Sequence, residues 1–136
     1  MKKNKFFKIG MVGSPKYEDK LKIKNVIFSI KKEILNAEIC TRATLSGAEK
    51  YVKKYSLEFE CNFKEFPPAH MSKTLYSAMS SNYYDKPYSP KNYFVRDSIF
   101  CKYIDKLIIF AIDGKIDEFE NLLKIMKKLK KDVTLL

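Results

Sequence analysis

Short apolar runs alternate along this chain with stretches in which apolar residues recur every three or four positions. Phe6-Phe7-Lys8-Ile9-Gly10-Met11-Val12 is the first run, and the turn residues Gly13-Ser14-Pro15 close it. Over residues 19–36, Leu21, Ile23, Val26, Ile27, Ile30, Ile34 and Leu35 keep helical spacing, with lysines on the other face. Residues 37–41 read as a short strand. Ser46 is of the type that caps a helix, and Ala48, Tyr51, Val52 and Tyr55 line one face of the helix it would open. Residues 59–66 alternate roughly as a third strand, which stops at Pro67-Pro68. The stretch 69–92 is rich in Tyr, Ser and Pro, and a connection of that length in a compact domain is usually functional or mobile. Residues 94–103 read as a helix. Residues 106–112 form a continuous apolar run suited to a buried strand of a parallel sheet. An amphipathic helix over 117–130 and a last strand over 133–136 complete the pattern.

The order βαβαβ, a long connection, then αβαβ predicts an α/β fold: a Rossmann-like three-layer sandwich of helices about a sheet. The expected sheet is five-stranded and mainly parallel, in the order 3-2-1-4-5. Residues 1–136 are expected to make one domain with a Tyr- and Pro-rich insertion at about 69–92. In such sheets a ligand crevice lies beyond the carboxyl ends of the strands, where the strand order reverses. The segments to inspect are therefore Gly13-Ser14, Thr41 to Gly47, and Ile112 to Gly114.

Composition adjusts this picture in two ways. The formal net charge is +11, which invites a nucleic-acid reading, since dense positive charge attracts phosphate backbones. Only Arg42 and Arg96 are arginine, however, and the rest of the 27 basic residues are lysine, which lacks the bidentate fork used for phosphates and bases. A solvated lysine surface is the favoured reading. Cys40, Cys61 and Cys101 are odd in number, widely spaced and set in apolar stretches, so neither a disulfide framework nor a zinc site is expected. A reducing cytoplasm fits them. The N-terminus begins like a leader, but Lys8 and Gly10 interrupt the apolar run, and no stretch approaches the ~20 apolar residues of a membrane span.

Five short motifs, in order, carry a resemblance. They are Gly10-Met11-Val12-Gly13-Ser14, then Thr41-Arg42-Ala43-Thr44-Leu45-Ser46-Gly47-Ala48-Glu49, then Glu65-Phe66-Pro67-Pro68-Ala69-His70 with the Tyr-rich segment after it. Val95-Arg96-Asp97 and Ile104-Asp105-Lys106-Leu107-Ile108-Ile109-Phe110 follow. Over nearly the whole chain this series resembles the SLOG superfamily of YspA-like, DprA-like and LOG-like Rossmann-type proteins, and in particular its small phage-encoded members. The resemblance implies binding of a nucleotide or nucleotide-derived phosphate ligand, common assembly into dimers or tetramers, and, for a phage-encoded protein, the host cytoplasm. It implies no cofactor. The ligand-binding candidates it marks are Gly13, Ser14, Lys16, Arg42, Ser46, Gly47, Glu49, Arg96, Asp97 and Asp113.

The departures from the family pattern point away from catalysis. Arg42-Ala43 replaces a Gly-Gly pair, Pro15 replaces an arginine with Lys16 as a poorer substitute, and Glu49 and Asp97 replace Asp and Asn. The glycine-rich turn expected after the fourth strand is reduced to Asp113-Gly114-Lys115. A drifted pocket that binds with weak or no turnover is the leading expectation; any surviving activity would be hydrolysis of a nucleotide N-glycosidic or phosphate bond. The alternative is a ligand-free interaction protein on the same fold. Each candidate also has a purely structural role open to it: a tight turn for Gly13, a helix cap for Ser46, and an ion pair with Asp97 or Asp105 for Arg96. His70 is expected in the long segment, and the tyrosines there either stack on a base or, as favoured, cover sheet edges and subunit contacts. The lysines from Lys124 to Lys131 read as the solvated face of the last helix.

Overall fold

A computed structural model describes residues 6–136, so Met1–Lys5, where the leader-like start begins, lie outside the described residues. The elements are β1 (Phe7–Gly13), α1 (Lys20–Glu33), β2 (Ala37–Thr41), α2 (Ala48–Glu58), β3 (Asn62–Glu65), α3 (Lys91–Tyr103), β4 (Lys106–Phe110), α4 (Glu120–Lys128) and β5 (Asp132–Leu135). The strands form one sheet in the order β3-β2-β1-β4-β5. Every neighbouring pair is parallel, with Ile9 beside Ile39 on one side of β1 and Met11 beside Ile108 on the other. The order reverses between β1 and β4.

Alternation within the strands separates two cores. Ile9, Met11, Ile39, Phe63, Ile108 and Phe110 face α1 and α2, where they meet Ile23, Ile27, Val52 and Tyr55. Val12, Cys40, Leu107 and Ile109 face α3 and α4, where they meet Phe100, Cys101, Leu122 and Met126. β4 is apolar throughout its middle because helices cover it on both sides.

Several boundaries differ from the sequence pattern. The helix α1 ends at Glu33, because Ile34 is extended (φ −115°) and donates its N–H to the Ile30 carbonyl; Leu35 is left 96% exposed. α3 starts three residues before Phe94, behind Pro90, whose φ of −55° is already helical. Lys91 and Tyr93 are exposed, so periodicity carried no signal there. β4 ends at Phe110, two residues short of the apolar run, and a 3₁₀ turn over Asp117–Phe119 precedes α4.

The long segment is irregular yet tied down. Lys86 N–H bonds the Ala69 carbonyl and Asp85 N–H bonds the Met71 carbonyl, each at 3.0 Å, so the excursion closes on itself. Its middle runs beside β3: Glu65 N–H donates to Tyr76 C=O at 3.0 Å, and Ala78 N–H donates to Glu65 C=O at 2.9 Å. Tyr76 packs edge-on against Phe63 at 5.6 Å. The segment thus covers the Glu65 end of the edge that β3 would otherwise expose.

One lysine of the C-terminal run is no solvated charge. Lys131 lies beyond α4 and sends its ammonium to the carbonyls of Cys101, Lys102 and Ile104 at 2.9, 2.9 and 2.7 Å, closing the C-terminus of α3. Those carbonyls have no helical partner, and the negative end of the helix dipole favours a cation there. Lys131→Met keeps the aliphatic stem and should lower unfolding free energy by about 1–2 kcal/mol in chemical denaturation, whereas Lys128→Met should be near neutral.

Candidate functional site

The carboxyl end of β1 is built around two glycines. A β-carbon on Gly13 would stand 2.3 Å from the Ala48 β-carbon and 2.8 Å from the Phe110 carbonyl oxygen. Gly47 has φ +68°, and a β-carbon there would stand 2.2 Å from the Ser14 carbonyl oxygen. Both glycines are therefore required by close approach, with or without a ligand. The contact is completed by Ala48 N–H, which donates to Ser14 C=O at 3.1 Å, so the first N–H of α2 is taken by the chain itself. Ser46 is exposed and does not cap α2; Gly47 holds the cap position with no side-chain bond. The capping expectation fails because the turn after β1 occupies the place a serine oxygen would take.

Between the ends of β1 and β4, at the strand-order reversal, lies a cleft of about 380 Å³ lined by Ser14, Lys16, Ile112, Lys115, Asp117 and Glu118. Ser14 is buried, and its hydroxyl accepts the Lys16 N–H at 3.1 Å, which fixes the turn. On the other wall, Asp113 (φ +51°) and Gly114 (φ +70°) make a left-handed two-residue turn closed by Lys115 N–H to Ile112 C=O at 2.9 Å. Asp113 is at the exposed tip of that turn and is not part of the lining.

The remaining charged candidates form a network with one another. Glu49, buried in the first turn of α2, accepts the Arg42 backbone N–H at 2.7 Å through one oxygen. Its other oxygen takes the Arg42 guanidinium at 2.8 and 3.2 Å and the Thr44 hydroxyl at 3.0 Å. Burial disfavours the Arg42 charge, but Glu49 and Asp97 more than restore it, and the guanidinium pKa is raised. Its plane also lies over the Phe119 ring at 5.6 Å. Arg96, 7% exposed, bonds Asp97 at 2.9 Å, the Arg42 carbonyl at 2.8 Å and the Phe66 carbonyl at 3.4 Å. Asn121 of α4 supplies the second partner of Asp97 at 3.1 Å. Arg96 thus ties the ends of β2 and β3 to α3.

Of the residues the sequence marks, Ser14 and Lys16 line the cleft, Gly13 and Gly47 build the junction beside it, and Arg42, Glu49, Arg96 and Asp97 form one network. Lys115, Asp117 and Glu118 on the far wall, and Thr44 and Asn121 in the network, are not among the marked residues. The turn after β4 was the available signal for the first three; nothing local marks Asn121. Ala43 has a left-handed φ of +66°, a conformation that glycine takes at no steric cost. His70 sits in the long segment as expected, wedged edge-on between Tyr88 and Tyr93 at 4.9 and 5.2 Å, with Nδ1 3.2 Å from the Asn92 amide.

No family model matches the chain, and no curated protein matches it in sequence. Solved structures do match in shape. The molybdenum cofactor binding protein of the phototrophic bacterium Rippkaea orientalis superposes with a TM-score of 0.65 at 16% identity, over 96% of this chain and 76% of that one. The molybdenum cofactor carrier protein of Chlamydomonas reinhardtii gives a TM-score of 0.62 at 18% identity, over the same shares of the two chains. The chain has the fold of these two proteins, and at such identity the likeness lies in the fold.

Two substitutions separate scaffold from surface. Glu49→Ala strands the largely buried Arg42 charge and should cost about 3 kcal/mol in unfolding free energy, while Ser46→Ala should stay within about 0.5 kcal/mol of the parent. Ala43→Gly relieves a left-handed alanine and should raise stability by up to about 1 kcal/mol, measured by the same denaturation curves.

Proposed function

We propose that this protein is a SLOG-type small-ligand binder that takes a nucleotide or nucleotide-derived phosphate compound in the cleft between the ends of β1 and β4. The observation that carries the reading is the cleft itself: about 380 Å³ at the strand-order reversal, with Lys16 on one wall and Lys115 on the other. That volume lies low in the ~300–1,000 Å³ range of ligand sites, which suits a mononucleotide-sized compound. Two ammonium groups on facing walls suit an anionic group between them, and Asp117 and Glu118 supply acceptors for hydroxyl or amino groups. The two solved neighbours named for the molybdenum cofactor support small-molecule binding on this fold and make that cofactor a ligand to test beside nucleotides.

Turnover is not part of the proposal. Both oxygens of Glu49 are engaged by Arg42 and Thr44, and Arg96 is held by Asp97 and two carbonyls, so these charged groups serve the scaffold. A misplacement of ~1 Å costs about 100-fold in rate, a loss that binding does not share. Three free cysteines, two of them buried, fit the reducing cytoplasm we assign to it.

A second reading, an interaction protein that has kept the fold and lost the ligand, draws on one observation. The side chains at the family's phosphate position satisfy each other, and Ser14 C=O takes the first N–H of α2. Calorimetric titration with nucleoside mono- and diphosphates and with molybdenum cofactor separates the two. The first reading expects binding that Lys16→Ala and Lys115→Ala each weaken about tenfold, the worth of one charge-assisted hydrogen bond. No binding by any of these ligands would overturn it in favour of the second, and binding indifferent to both substitutions together would overturn the placement in this cleft.

A further inference from the structure

On the face covered by α1 and α2, the helical layer stops before β5, where Thr134 and Leu136 are only half-buried. Between α1 and β4 this leaves a groove of about 550 Å³, with Ile30 and Ile108 in its floor. Its wall is one stripe of α1 with its N-cap Asp19; the stripe mixes apolar and small polar residues and carries one charge of each sign near its ends, Lys22 and Glu33. Neither charge has an ion-pair partner among the described residues. They are eleven residues apart, about 16 Å along a helix, too far to pair with each other.

The stripe is self-complementary when read against its own reverse. Turning a second α1 antiparallel about a point between Ile27 and Phe28 brings Lys22 of each copy opposite Glu33 of the other. The same rotation sets Leu21, which is 63% exposed, toward Ile34 of the second copy. It also sets Asn25 toward Ile30, and Val26 toward Ser29, so the small polar residues sit near the centre where the helices approach closest. At 100° per residue, Lys20, Lys24 and Lys31 fall on the opposite side of α1, away from the groove. With Asp19 beside Lys22, the groove carries two carboxylates and one ammonium on a protein of net charge +11, which a surface for nucleic acid or anionic lipid would not. The Tyr-rich segment, the place where self-association was expected, spends Tyr76 and Tyr84 on its own packing.

We infer that the α1 groove is the docking surface for a second copy of this chain, related by a two-fold axis that pairs Lys22 with Glu33 in both directions. Such an isologous contact uses the same patch on both subunits and closes at two. Sedimentation velocity of the full chain at micromolar concentration should give twice the chain mass of 16.0 kDa. Lys22→Glu and Glu33→Lys should each weaken the dimer at least about tenfold, because like charges then face each other twice. The double variant K22E/E33K should restore it, and Leu21→Asp should weaken it without a charge partner. Circular dichroism melting reports that each variant is folded. A chain that stays monomeric would overturn the proposal. So would a dimer that none of these variants weakens, or one that Tyr88→Ser disrupts while K22E does not.

Discussion

Where β1 ends, a β-carbon on residue 13 would stand 2.8 Å from the Phe110 carbonyl oxygen and 2.3 Å from the Ala48 β-carbon, so the crevice end of this fold depends on having no side chain there. That contact brings the end of the central strand, the start of α2 and the end of β4 together. Ser14 C=O then binds the first N–H of α2, and Gly47 lets its backbone come close enough to do so. The cleft beside this junction owes its position to it: Ser14 and Lys16 can form one wall only because the turn is pinned to α2.

The second constraint is the cost of buried charge at the ends of β2 and β3. Arg42 stands where a flexible glycine would leave the backbone open, and a buried guanidinium without partners would be strongly destabilising. Glu49 and Thr44 answer it from one side, while its own carbonyl is held by Arg96 from the other. Asp97 and Asn121 close the chain of partners on α4. Residues that look like a reactive constellation when read in isolation are thus committed to neutralising one another. Lys16, Lys115 and the two carboxylates of the 3₁₀ turn before α4, which line the cleft, take no part in that hydrogen-bond network.

The alternation of strands and helices, and with it the strand order, was legible because both are local: period-two and period-3.6 patterns mark the elements, and right-handed crossovers leave few ways to arrange them. β4 was plain as four consecutive buried residues, and the glycines at 13 and 47 stood out because backbone contact and left-handed φ demand that residue type. Boundaries were blurred where exposed residues carry no pattern, as at Lys91–Tyr93, or where apolar residues run past the element, as at Leu35 and Ile112.

Only the tertiary structure decided what the charged residues do. Arg96 and the Arg42 carbonyl are 54 positions apart, Asn121 and Asp97 are 24 apart, and Lys131 reaches back 30 residues to the end of α3. A polar side chain's role depends on which partner lies within about 3 Å, and that is set by packing rather than by spacing along the chain. The tyrosines of the long segment show the same division. Their composition announced a covering element, but that Tyr76 would lie on Phe63 and extend the edge of β3 follows from how the segment folds back, which no local pattern encodes.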